Sequence, residues 1–311
     1  MKIFDAESTR LALSFERLIP ALAEMFVLGC EVPQRHSHTI TGGDGSSSTL
    51  LLMPAWQVDR YLGIKTVAIT PRNISVGLPG LYSTYMLYDA TTGEPLALMD
   101  GNEITSRRTA AASALAASHL ARATARRMLL VGAGRVASLL PQAYRAVRPI
   151  ETVVIWDINY AMAHALAVRL NEQGFNALVA TDLAGAARSA DVICCATLAT
   201  EPVIHGEWLL PGTHLDLIGS FTPQMRETDD ACFKGSCLYI DTEEALLKSG
   251  DLLGPMERGV FAASHVRGTL AGLCRRTCTG RATDEERSVF KSVGTALEDL
   301  AAAIMVFESQ P

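Results

Sequence analysis

The segment that most constrains the fold is MLLVGAGRVASLLPQAYRAVRPIETVVIWDIN, residues 128–159. It reads as an apolar strand, a glycine turn, a helix, and a second apolar strand ending on Asp157. The glycines stand at 132 and 134, and Ala137 takes the third position of the G-x-G-x-x-G/A pattern. Gly132 permits a tight turn, Gly134 lets the backbone approach a pyrophosphate, and Ala137 is small enough for the helix to pack on the strand. The helix start, at Arg135 and Val136, offers N–H groups and a partial positive charge to phosphates. Asp157 lies twenty residues beyond Ala137, where a carboxylate accepts hydrogen bonds from ribose hydroxyls and repels a 2′-phosphate. The pattern predicts a dinucleotide site that favours NADH. Arg135, a cation just inside the turn, leaves NADPH open.

The surrounding pattern agrees with a layered α/β chain. Residues 7–29 have apolar positions at helical spacing and predict an amphipathic helix interrupted near Pro20. TITGGDGSSST marks a surface turn between strands, and TLLLMPAWQV, YLGIKTVAIT and LYSTYMLYDATTGEPLALMDG alternate as strands of an antiparallel sheet. From Thr105, a candidate cap, TSRRTAAASALAASHLARATAR predicts one long helix. Beyond it strands alternate with helices expected at 135–147, 160–172 and 183–189, the order of a doubly wound parallel sheet. Near the end, Thr283 and Glu286 stand in capping-box spacing and predict a helix from Thr283 onward.

With 311 residues, 49% hydrophobic and 19% charged, the chain affords a large core of about two domains. A net charge of −6 without a basic run argues against nucleic acid or an anionic membrane as partner. No secretory signal and no long apolar span are read, so the expectation is a soluble cytoplasmic protein. Seven cysteines without a CxxC or a His pair read as reduced structural thiols, and no metal site is expected.

GLPGLYSTYMLYDATTGEPLALMDGNEITSRRTAAASALAASHLAR, LLVGAGRVA, ATLATEPV, IGSFTPQMRE and VFKSVGTALEDLA together resemble the ornithine cyclodeaminase and mu-crystallin family over nearly the whole chain. The resemblance implies a Rossmann domain at 119–287. It also implies a split α+β domain at 1–118 with 288–311, which binds substrate and forms a homodimer. Members are imine or amino-acid redox enzymes. By the same resemblance Arg35, Lys65 and Arg108 hold a substrate carboxylate. Paired arginine donors suit that task, and a lysine on an apolar strand needs an anion or a lowered pKa. Thr84, Arg108, Thr109, Asp157, Thr197, Ser220 and Ser292 are implied near the dinucleotide.

One departure is informative. Cyclodeaminases carry an acid where this chain has Phe221, and their following lysine position falls on Met225. A phenyl ring is no general base, and Asp216, earlier on the same strand, reads as structural. The resemblance therefore implies the branch that reduces cyclic imines such as 1-pyrroline-2-carboxylate to proline. Phe221 is expected to line the apolar side of the substrate pocket, with Lys65 or an ordered water as proton source. A cyclodeaminase, an alanine dehydrogenase-like enzyme, and a binding protein resembling mu-crystallin remain as alternatives.

Overall fold

The computed structural model describes residues 1–309. In chain order its first elements are β1 (Lys2–Phe4), α1 (Ala6–Ala12), α2 (Phe15–Leu28), β2 (His36–Thr41), β3 (Ser47–Trp56), β4 (Tyr61–Ile69), β5 (Leu81–Asp89), β6 (Pro95–Asp100) and α3 (Gly101–Leu120). Then come β7 (Arg127–Val131), α4 (Leu140–Arg145), β8 (Thr152–Trp156), α5 (Tyr160–Glu172), β9 (Asn176–Val179), α6 (Leu183–Arg188), β10 (Val192–Cys195) and β11 (His214–Leu217). The remainder is β12 (Ser236–Ile240), α7 (Ala245–Lys248), α8 (Gly250–Glu257), β13 (Val266–Thr269), α9 (Leu270–Arg275), β14 (Arg287–Lys291) and α10 (Ala296–Glu308).

These elements form two compact units. Unit 1 is Met1–Thr109 with the chain from Thr295 onward, and unit 2 is Ala110–Gly294. The division falls inside α3 and just after β14, against expected boundaries at 118/119 and 287/288. The second difference has a plain cause: β14 pairs in parallel with β11 and β12 and so belongs to the sheet of unit 2.

Unit 1 is a six-stranded sheet in the order β1-β6-β5-β4-β3-β2. Strands β2 to β6 are antiparallel, and β1 adds to the edge in parallel. Period-two alternation decides which side chains face inward. On β4 the buried row is Gly63, Lys65 and Val67, and on β5 it is Ser83, Tyr85 and Leu87. Helix α10, buried at every residue from Ala296 to Val306, packs on β3, β4 and α2. A helix buried all round belongs in a core.

Unit 2 is an eight-stranded sheet, parallel throughout, in the order β13-β12-β14-β11-β10-β7-β8-β9. Strands β7, β8 and β10 are largely runs of apolar residues, as expected where both faces of a parallel sheet are covered. The chain runs outward from β7 to β9 and then returns to the other side of β7 with β10. This reversal is where an open α/β sheet binds ligands.

Four local expectations are corrected. The break in the first helical segment lies at Leu13–Ser14, not at Pro20, which sits inside a continuous α2. Pro20 would bond to Glu16, in the first turn, so only one hydrogen bond is lost. Thr105 is not a cap, because α3 starts at Gly101 and Asp100 Oδ1 accepts from Glu103 N at 2.7 Å. The turn after β7 winds first as a 3₁₀ segment, Ala137–Leu139, before α4. No helix begins at Thr283. Glu286 instead accepts from Ala282 N at 2.7 Å, β14 follows, and Thr295 caps α10.

Candidate active site

In unit 2 the ends of β7, β8 and β10 surround a cleft of about 470 Å³. Gly132 has φ +106°, and a Cβ there would lie 2.7 Å from Ala196 O, so the turn requires glycine. A Cβ on Gly134 would meet nothing within 4 Å, which leaves its backbone open to a ligand. Ala137 is buried, Val136 half-buried, and Arg135 exposed. Asp157 lines the cleft and braces the glycine turn, accepting from Ala133 N at 2.8 Å and from Asn159 N at 2.7 Å. Thr197, just past β10, also lines it. An open glycine backbone, an acid at the end of the second strand and a cleft at the strand-order reversal fit a dinucleotide.

Ser220 and Ser292 do not line this cleft. Ser220 is buried, donates to Met225 O at 2.6 Å and accepts from Asp251 N at 3.1 Å. Ser292 is buried, with its N–H on Leu217 O. Phe221 is 49% exposed and does not line the cleft either. Asp216 is structural: fully buried, it accepts from Tyr144 Oη at 2.8 Å, and burial pushes its carboxyl up to about 6.

Unit 1 contains a buried ionic cluster. Lys65 Nζ lies 2.6 Å from Asp299 Oδ2, while Arg108 donates from Nε to Asp299 Oδ1 (2.9 Å) and from Nη1 to Glu298 Oε2 (2.6 Å). All four side chains are nearly or fully buried. Burial pulls the Lys65 ammonium down to about 8 despite the opposing pull of Asp299. Burial alone would raise the Asp299 carboxyl, but Lys65 and Arg108 hold it below the usual range. Burial would likewise lower the Arg108 guanidinium, and the two carboxylates raise it instead. Among the described residues, the buried hydroxyl of Tyr85, opposite Lys65 on β5, has no hydrogen-bond partner.

Two of the three expected carboxylate-binding residues thus come together, along with two acids that the residue pattern left unassigned. Glu298 and Asp299 had a signal: adjacent acids in a helix whose other residues from Ala296 to Phe307 are all apolar. Arg35 is half-buried just before β2. Thr84 pairs with Thr66, not Lys65, so it lies on the opposite face of the sheet from Lys65. Thr109 Oγ1 donates to Thr105 O at 2.7 Å within α3. Among the described residues, no helix is long and apolar enough to cross a membrane.

The family model for the ornithine cyclodeaminase/mu-crystallin family matches residues 7–310. An uncharacterised protein of Schizosaccharomyces pombe is 41% identical, with 99% of this chain and 97% of that protein covered. A Delta(1)-pyrroline-2-carboxylate reductase of Colwellia psychrerythraea is 35% identical, with 99% of each chain covered. The Delta(1)-pyrroline-2-carboxylate reductase of Thermococcus litoralis, solved in complex with NADH and L-proline, superposes with a TM-score of 0.92 at 32% identity, covering 99% of this chain and 97% of that one. The chain belongs to the ornithine cyclodeaminase/mu-crystallin family.

Proposed function

We propose that the protein is an NADH-dependent reductase of cyclic imino acids. It converts 1-pyrroline-2-carboxylate to L-proline and also takes the six-membered 1-piperideine-2-carboxylate to L-pipecolate. The observation that carries this reading is the buried pair Lys65 and Arg108, two cations at the centre of an apolar unit, in a chain that also has a dinucleotide cleft. The reductase relatives over the full chain length support it.

Reduced nicotinamide supplies a hydride when bound. Gly132, Gly134 and the turn through Arg135, Val136 and Ala137 would hold the pyrophosphate, and Asp157 would take the adenosine ribose hydroxyls. The same carboxylate disfavours a 2′-phosphate, which supports NADH over NADPH. Arg108 Nη2, with Arg35, grips the substrate carboxylate in one plane. Lys65, protonated at neutral pH and held by Asp299, gives its proton to the imine nitrogen. The imine nitrogen would take that proton and the ring carbon the hydride that the bound cofactor would supply, so that the C=N bond would become a C–N bond. No acid stands at Phe221 to assist ammonia loss.

We assign the enzyme to the cytoplasm, a reading that seven free thiols favour. We also assign it as a homodimer that associates through unit 1. There exposed Leu28 lines a cleft of about 280 Å³ that carries both Arg17 and Arg60 and Glu24 and Glu308. The deciding assay measures NADH oxidation with 1-pyrroline-2-carboxylate beside ammonia release from ornithine. Imine reduction without ammonia release is expected; ammonia release without reduction overturns the assignment.

A further inference from the structure

Behind the cleft of unit 2 lies a fully buried carboxylate, that of Glu227. Its Oε1 accepts from Thr197 N and Thr197 Oγ1, both at 2.8 Å, and its Oε2 accepts from Gly219 N at 2.7 Å. Thr197 follows β10 and lines the cleft, and Gly219 follows β11. One carboxylate therefore ties together two neighbouring strand ends on the ligand-binding edge of the sheet. The space around it is closed. A Cβ on Gly219 would lie 2.2 Å from Thr197 O and 2.4 Å from Glu227 Oε1. Glu227 is itself anchored, because Asp251 Oδ1 accepts from its N–H at 2.8 Å and from Thr228 N and Oγ1 at 3.1 Å.

We propose that Glu227 is a positioning residue for the dinucleotide, preforming the part of the cleft that Thr197 and the turn after β11 supply. The inference rests on the dinucleotide reading of that cleft. An ionised carboxylate has acceptors on both oxygens, as three converging donors require. A glutamine in its place presents an NH₂ group to one of them. Protonation does the same, setting an O–H against the Gly219 N–H. The charged and titratable groups facing Glu227 are Asp251 from α8, Lys291 from β14 and Cys195 from β10. Lys291 Nζ stands 3.8 Å from Asp251 Oδ2. Burial raises the Cys195 thiol far above neutrality, so it stays protonated. Burial also pushes Glu227 up to about 7, against the attraction of Lys291. Its hold on the cleft therefore loosens as pH falls through neutrality.

The test is NADH binding followed by fluorescence, without substrate, for wild type and Glu227→Gln between about pH 6 and about pH 8.5. Wild-type affinity should drop several-fold toward the acid end. E227Q should bind about tenfold or more weakly at the alkaline end, where three donors meet one acceptor fewer, and show a flat pH profile. In the reductase assay its KM for NADH should rise more than its kcat falls. A folded E227Q with wild-type affinity and pH profile overturns the proposal. Should E227Q fail to fold, a flat wild-type pH profile overturns it and a sloping one supports it. Wild-type protein that binds no NADH at any pH refutes the dinucleotide reading itself, and this inference with it.

Discussion

The cleft of unit 2 is built mainly from backbone, whereas the cluster of unit 1 is built entirely from charged side chains. In the first, glycine conformation, strand ends and a short turn create the shape, and Asp157 braces a neighbour only 24 residues away. In the second, Arg108 meets Glu298 and Asp299 across 190 and 191 residues of chain. The difference separates two kinds of work. Backbone N–H groups present a fixed, uncharged cradle to a large anionic ligand. Buried side-chain charges hold a small reactive group and carry a proton, and each must be compensated or it becomes costly.

If this division is right, Lys65→Met should damage chemistry far more than cofactor binding. Reduction of 1-pyrroline-2-carboxylate should fall about 10²–10⁴-fold, the usual weight of a positioned acid, with NADH affinity unchanged by fluorescence titration. A parallel loss of NADH binding would break the comparison.

Asp299→Ala should show how much the cluster costs when unbalanced. Removing one partner of a buried ion pair destabilises by about 3–5 kcal/mol, because Lys65 and Arg108 would share Glu298 alone. Urea unfolding measures this, and a loss below about 1 kcal/mol would mean that solvent already reaches the cluster.

Asp157→Ser probes the other region and should act on specificity instead of stability. NADPH should gain about tenfold relative to NADH as the repulsion of the 2′-phosphate goes. Wild-type protein that already prefers NADPH by that margin would refute the role given to this acid.

The smallest effect is a pH slope. Lys65 is held at about 8 by burial, below its ordinary value, so its protonated form is depleted as pH rises through about 8. The rate of imine reduction should bend downward there. A rate that stays level to about pH 10, near the ordinary lysine value, would remove Lys65 as the proton donor.

Much of unit 2 was legible from adjacent residues. The glycine spacing, the apolar strands and Asp157 all act within one βαβ unit, and the structure brings Gly132, Gly134, Asp157 and Thr197 to one cleft. Only the tertiary structure shows that the Ser220 hydroxyl donates to Met225 O and that the Ser292 N–H donates to Leu217 O. Phe221 is half-exposed, a property that no local pattern signals. The segment after Thr283 misled because a capping-box spacing is a local preference. Its residues entered a sheet whose neighbours, β11 and β12, lie far off in sequence.

By itself the sequence determined that a dinucleotide turn exists, that strands and helices alternate in parallel order, and that Lys65 stands on an apolar strand. Each follows from backbone periodicity or glycine geometry, which neighbouring residues set. Only the tertiary structure decided that Asp299 answers Lys65 and Arg108, and that Glu227 gathers Thr197 and Gly219. Nothing local requires either acid to be buried. Packing removes the water around each group, and a charge or donor without water must find its partner wherever the fold has brought one.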